Sequence, residues 1–177
     1  MKNDKITKFR LLIPLLIFIV TIAELIVIYR LNVAYKGVYE AFVFVPFILL
    51  QSFIWYQVLL KNNISKYYML KIVCMVLITI FIPVAILTTV PEYTYKEGKT
   101  IIESSNNFDS SYYFSENYKG VNTIPVSDNP KGLLVADRAY YYALSNGTND
   151  MFFIVSPVDG SLVQLANDFT KKNEVNN

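Results

Sequence analysis

Histidine is missing from this chain of 177 residues, and cysteine occurs once, at Cys74. These gaps remove a His/Cys zinc site, a Ser-His or Cys-His catalytic pair within the chain, and an intrachain disulfide. Charge is scarce: 17% of residues are charged and 54% hydrophobic, whereas soluble domains run nearer a quarter charged. That balance points towards lipid. The net charge of +2 is too small to suggest a nucleic-acid partner. No Gly-rich phosphate loop, Ser-x-x-Lys pair or suitably spaced catalytic carboxylate pair occurs, so the sequence reads as non-catalytic and without a cofactor.

Glycine is also absent from the three most apolar stretches, residues 11–28, 38–60 and 69–90. Each is close to the ~20 residues that cross a bilayer core of about 30 Å as a helix. Pro14 falls in the first turn of its run, while Pro46 and Pro83 lie inside theirs and predict kinks of a packing kind. The first run follows a basic leader (Lys2, Lys5, Lys8, Arg10), yet it is too long for a signal peptide and no small-x-small cleavage site follows. It reads as an uncleaved anchor.

Lys and Arg in the short flanks set the orientation. Four in the leader and three around the second loop (Lys61, Lys66, Lys71) outweigh Arg30 and Lys36 in the first loop. The N-terminus is therefore expected in the cytoplasm, and three crossings carry the remainder outside. The expected order is a leader (1–10), a three-helix membrane region (11–90), an extracytoplasmic domain (91–166) and a flexible tail (167–177). Residues 91–177 hold seven basic and eleven acidic side chains. Tyr29, Tyr35, Tyr39, Tyr93 and Tyr95 would mark the outer headgroup level, and Trp55, Tyr56, Tyr67 and Tyr68 the inner one.

Two carboxylates fall in the membrane region, Glu24 near the outer end of the first span and Glu40 at the start of the second. Glu24 has two readings: an interfacial or helix-contact residue, paired with Arg30 or Lys36, or a functional site shared with a partner subunit. Lys71 can snorkel to the cytoplasmic surface, and Cys74 reads as a small buried hydrophobe.

After residue 90 the texture turns polar, Tyr-rich and rich in turns. Thr94-Tyr-Lys-Glu97 fits a capping box before a helix over residues 95–105 with Ile101 and Ile102 inward. Strands are expected over 110–114, 121–126, 138–145, 151–156 and 161–165, the last three forming an antiparallel meander turned at Asn146-Gly147 and Pro157–Gly160. The fold class is thus three membrane helices plus a small α+β domain with an antiparallel sheet. Asp128, Asp137, Asp150 and Asp159 read as turn residues rather than a metal set. If Tyr141 packs inward, Tyr140 and Tyr142 face out, either as anchors for a protein partner or as cover for the helix or the headgroups.

The helix at 95–103, Tyr140-Tyr-Tyr-Ala-Leu, Phe152-Phe-Ile-Val-Ser-Pro and Val158-Asp-Gly-Ser-Leu-Val together resemble a PepSY-type domain of bacterial exported and membrane-tethered proteins. The chain departs from that pattern in a long insertion at 108–131 and in Gly98, where such helices usually carry Ala. The resemblance implies a protein-binding or peptidase-modulating module. The expected partners are membrane lipid and a protein, with candidate contacts Glu24, Glu40, Tyr140 and Tyr142. The expected location is the plasma membrane, multi-pass, and the alternative is an accessory subunit of a transporter or export complex acting through its helices.

Overall fold

A computed structural model describes residues 2–60, 68–105, 112–115, 118–127 and 132–170. Among the described residues, four α-helices and two 3-10 turns accompany a five-stranded antiparallel sheet. The helices are α1 (Lys2–Ala34), α2 (Val45–Leu60), α3 (Tyr68–Thr89) and α4 (Tyr95–Ser105). The strands are β1 (Tyr113–Phe114), β2 (Thr123–Pro125), β3 (Arg138–Ser145), β4 (Asp150–Val155) and β5 (Leu162–Leu165). The chain divides into two compact units, one of residues 1–31 and 41–88, the other of residues 32–40 and 89–177.

In the first unit α1 is a single helix of 33 residues, because nothing between Lys2 and Ala34 breaks it; Pro14 alone lacks an N–H. It ends where Lys36 and Gly37 turn left-handed, with φ of 50° and 74°, and the Gly37 N–H closes on the Asn32 carbonyl at 3.1 Å. This wrap from a left-handed residue satisfies a terminal carbonyl that the helix leaves free. The helix therefore runs six residues beyond the expected end at 28. Among the described residues, only Leu15–Ala34 is long and apolar enough to cross a membrane, a property shared by membrane spans and N-terminal signal sequences. Ala41–Gln57 and Val76–Thr89 are apolar but shorter. Pro83 sits inside α3, which continues to Thr89.

The second apolar run does not begin as a helix. Residues 38–40 are extended, Ala41–Phe44 form a 3-10 turn, and α2 starts only at Val45. Pro46 thus occupies the first turn of α2, where a missing N–H costs nothing, and not the helix interior. Apolar residues suit either state, and Val38 and Tyr39 are fully buried within the second unit, to which they belong. Cys74, expected in a core, is exposed, on an outer face of α3 that also shows Val73, Leu77 and Phe81.

In the second unit β3 is the central strand. β1 pairs with its C-terminal end and β2 with its N-terminal end, while β4 and then β5 build outward from its other edge. The expected meander of β3, β4 and β5 is present. The turn between β3 and β4 is a four-residue loop rather than a two-residue one, closed from Asn146 N to Asn149 O at 3.2 Å and from Asn149 N to Asn146 Oδ1 at 2.8 Å. Helix α4 has its expected bounds and its capping box: Thr94 N–H donates to Glu97 Oε2 at 2.7 Å, and Glu97 N–H to Thr94 Oγ1 at 3.3 Å. Ile102 is buried beneath it.

The segment between α1 and α2 belongs to this unit as well. Tyr39 bridges Val135 in antiparallel fashion, Ala136 N–H donates to Val38 O at 2.9 Å, and Glu40 N–H to Leu134 O at 2.8 Å. Tyr35 Oη donates to Pro91 O at 3.0 Å, and the Tyr39 hydroxyl meets Thr89 Oγ1 at 2.7 Å. Tyr35 and Tyr39, expected at the headgroup level, are therefore interior residues of the unit.

Candidate functional site

Two polar clusters stand out, one in each unit. In the first, Glu24 and Thr21 of α1 meet Gln51 and Ser52 of α2. Gln51 Nε2 donates to Glu24 Oε1 at 3.2 Å, and the Thr21 and Ser52 hydroxyls are in direct hydrogen-bond contact. One helix further on, Trp55 Nε1 donates to Thr79 Oγ1 of α3 at 3.0 Å. Glu24 accordingly makes a helix contact, but with Gln51 rather than with Arg30 or Lys36. Its distance from the helix end also differs from the expectation. With α1 continuing to Ala34, Glu24 lies ten residues, about 15 Å, from the helix end. Glu40 is exposed, and its backbone N–H, not its carboxylate, makes the contact to Leu134.

In the second unit, the sheet buries both of its faces, and the side chains of β3 show how. Tyr140, Tyr141 and Tyr142 are 0%, 1% and 2% exposed. Tyr140 and Tyr142 lie under α4 and the segment that leads into it, whose backbone takes their hydroxyls: Tyr140 Oη donates to Tyr93 O at 2.9 Å and Tyr142 Oη to Tyr95 O at 2.7 Å. The Tyr95 ring stacks on Tyr142 with centroids 4.7 Å apart. This is the helix-covering reading; as outward anchors for a partner the pair is excluded by its burial. On the opposite face Tyr141 packs with Ile124, Ala143 and Phe152, overlaid by Tyr118, Val121 and Phe169. Alternation along one strand predicts opposite faces correctly. It cannot reveal that a second, distant segment covers the other face.

That cover is pinned by Asp168. Its carboxylate accepts from Tyr141 Oη at 3.0 Å, Thr170 N at 2.8 Å and Thr170 Oγ1 at 2.7 Å. Tyr118 Oη at 3.3 Å and Lys119 Nζ at 3.4 Å complete the set. Burial alone pushes this carboxyl upward, but the donors from Thr170, Tyr141 and Lys119 outweigh it and hold the group down at about 2. Burial likewise pushes the three β3 phenols far up, so they stay hydrogen-bond donors. Residues 167–170, expected to be a flexible tail, are in this part docked; 171–177 lie outside the described residues. The signal was present as Asp168-Phe-Thr170, an Asx turn in which the aspartate accepts from the residue two places on.

Beside Asp168 an open groove of about 840 Å³ is lined by Thr148, Asn149, Asp150, Phe152, Leu165 and Phe169, among others. It adjoins β5, the outer strand of the sheet, which carries no charge and no proline. Of the four turn aspartates, Asp159 accepts from Ser161 N at 3.1 Å, Asp150 opens β4, Asp137 is exposed, and Asp128 lies outside the described residues. Among the described residues no group of three His, Cys, Asp or Glu side chains could hold a metal ion.

No family model, curated protein or solved structure matches this chain.

Proposed function

We propose that this chain is a membrane-anchored, non-catalytic protein whose three helices hold an extracytoplasmic, PepSY-like lobe that binds and regulates a protein partner. The binding role is carried by one observation, the outer edge of β5 beside the groove, which pairs with no other strand among the described residues. Natural sheets blunt such edges with proline, charge or very short strands. The opposite edge follows that rule, with a two-residue β1 and Pro125 in β2. Strand β5 does not: Leu162–Leu165 is uncharged, and Val163 is 51% exposed. An extended segment of a partner can add to such an edge through its main chain, with side chains entering the groove.

The membrane reading draws on two supports. Large apolar side chains cover the outside of the first unit, among them Phe18, Phe53, Phe81 and Leu87 at 63%, 59%, 68% and 75% exposure; a surface of that kind belongs in lipid rather than water. Second, residues 32–40 and 89–170 fold together, so they share one side of a bilayer. The intervening chain must then cross an even number of times. In this reading the 3-10 turn with α2, twenty residues, and α3, 22 residues, each make one crossing, matched to the bilayer by length alone.

A photo-crosslinking side chain at Val163 tests the binding role in intact cells. We expect a discrete adduct there, none from the same group at exposed Ser104 on α4, and loss of the Val163-dependent complex when Gln164 is replaced by Lys. Equal adducts at both positions overturn it. The alternative, an accessory subunit working through its helices, is favoured by the depth of Glu24. Partners retained after removal of residues 91–177 would select it.

A further inference from the structure

We infer that Glu24 is a proton-binding site whose neutral carboxyl donates from Oε2 to Gln51 Oε1, closing a two-bond acid–amide ring between α1 and α2. The evidence is a mismatch. Gln51 Nε2 already donates to Glu24 Oε1, yet Glu24 Oε2 and Gln51 Oε1 are both buried without a hydrogen-bond partner, and Gln51 is only 4% exposed. In an ionised pair both atoms are acceptors, so neither can serve the other, and unpaired buried acceptors are costly. Turning the amide over brings its oxygen against the oxygen it now serves and leaves the mismatch in place. One proton on Oε2 resolves both atoms at once.

The neighbours have no proton to spare. Thr21 Oγ1 reaches Ile17 O at 2.8 Å, Ser52 Oγ reaches Ile48 O at 2.9 Å, and the two hydroxyls meet each other, so their two hydrogens already serve three contacts. Among the described residues, the charged groups of α1, α2 and α3 all lie six or more positions along the helices from the pair. On α1 the nearest charge is Arg30, six residues on, with Tyr29 beside it; α2 offers Tyr56 as its one titratable group. On α3 the titratable groups are Tyr68, Lys71 and Cys74. The Trp55–Thr79 bond sets Gln51 level with about Pro83, which leaves Lys71 twelve residues, about 18 Å, away. This inference concerns the helices and is independent of what the lobe binds.

The test treats the full-length protein in lipid vesicles at neutral pH with dicyclohexylcarbodiimide. This lipophilic reagent takes the acid proton on nitrogen, receives the carboxyl oxygen at carbon and rearranges to a stable N-acylurea. We expect one adduct on Glu24 and none on exposed Glu92, Glu97 or Glu103. Glu24→Gln, which keeps a donor towards Gln51 Oε1, should stay folded and unlabelled. The infrared spectrum should show a protonated-carboxyl C=O band that Glu24→Gln removes. Absence of that band at neutral pH overturns the inference, as does labelling that appears only on acidification. Labelling that sodium suppresses at constant pH also overturns it, and assigns the two oxygens to a metal cation instead.

Discussion

At Gly98 the usual ranking of helix residues is reversed. Alanine in place of glycine normally stabilises a helix by roughly 0.5–1 kcal/mol. Here a Cβ would lie 2.2 Å from Tyr142 Oη, and that hydroxyl is fixed by its bond to Tyr95 O. Gly98→Ala should therefore lower the unfolding midpoint of the lobe, by about 1–3 kcal/mol as overpacking does, and Tyr142→Phe in the same chain should recover part of the loss. Asp168 makes a second prediction at this scale. Its folded value of about 2 lies below the 3.8 of a free side chain, so its stabilisation is complete above that ordinary value and is lost as pH falls towards 2. Linkage sets the amount at about 2 kcal/mol. Denaturant midpoints followed from pH 6 to pH 2 should fall in the parent and fall less in Asp168→Asn, whose midpoint is already lower at pH 6.

Among the elements, α4 shows how far local rules reach. Its bounds follow from Thr94 and Glu97, whose mutual hydrogen bonds are those the sequence spells out, and whose Thr94 donors hold the Glu97 carboxyl below its ordinary value. Thr94→Ala should cost about 1 kcal/mol, read as a lower midpoint and faster amide exchange at the first turn. Strands β3, β4 and β5 were legible for a similar reason, since turn residues and alternation are encoded within a few positions. What was not legible depends on distant covering segments. Val38 and Tyr39 suit a span or a strand equally, and Leu134–Ala136 decide between the two. Tyr140 and Tyr142 look outward until α4 is laid over them, and Asp168 looks like the start of a tail until Tyr141 is found beneath it. The Glu24–Gln51 contact joins residues 27 positions apart, beyond the reach of any periodicity.

For the whole molecule, the proposed threading makes its own prediction. In a Cys74→Ser background, a cysteine at exposed Ser104 should react with a membrane-impermeant maleimide added to intact cells, whereas one in the leader, at Lys5, should react only after the membrane is opened. The opposite pattern would invert the proposed orientation. Externally added protease should likewise trim the lobe in intact cells.

The stitch from Val38, Tyr39 and Glu40 to Leu134, Val135 and Ala136 has a consequence for biogenesis. Its first half is synthesised nearly a hundred residues before its second, so the early strand must wait, unpaired, while α2, α3 and α4 are laid down. Under the proposed threading, a chain that inserts only one of α2 and α3 strands the two halves on opposite leaflets. Its lobe cannot close, and the molecule offers proteolytic surveillance a ready mark of faulty insertion.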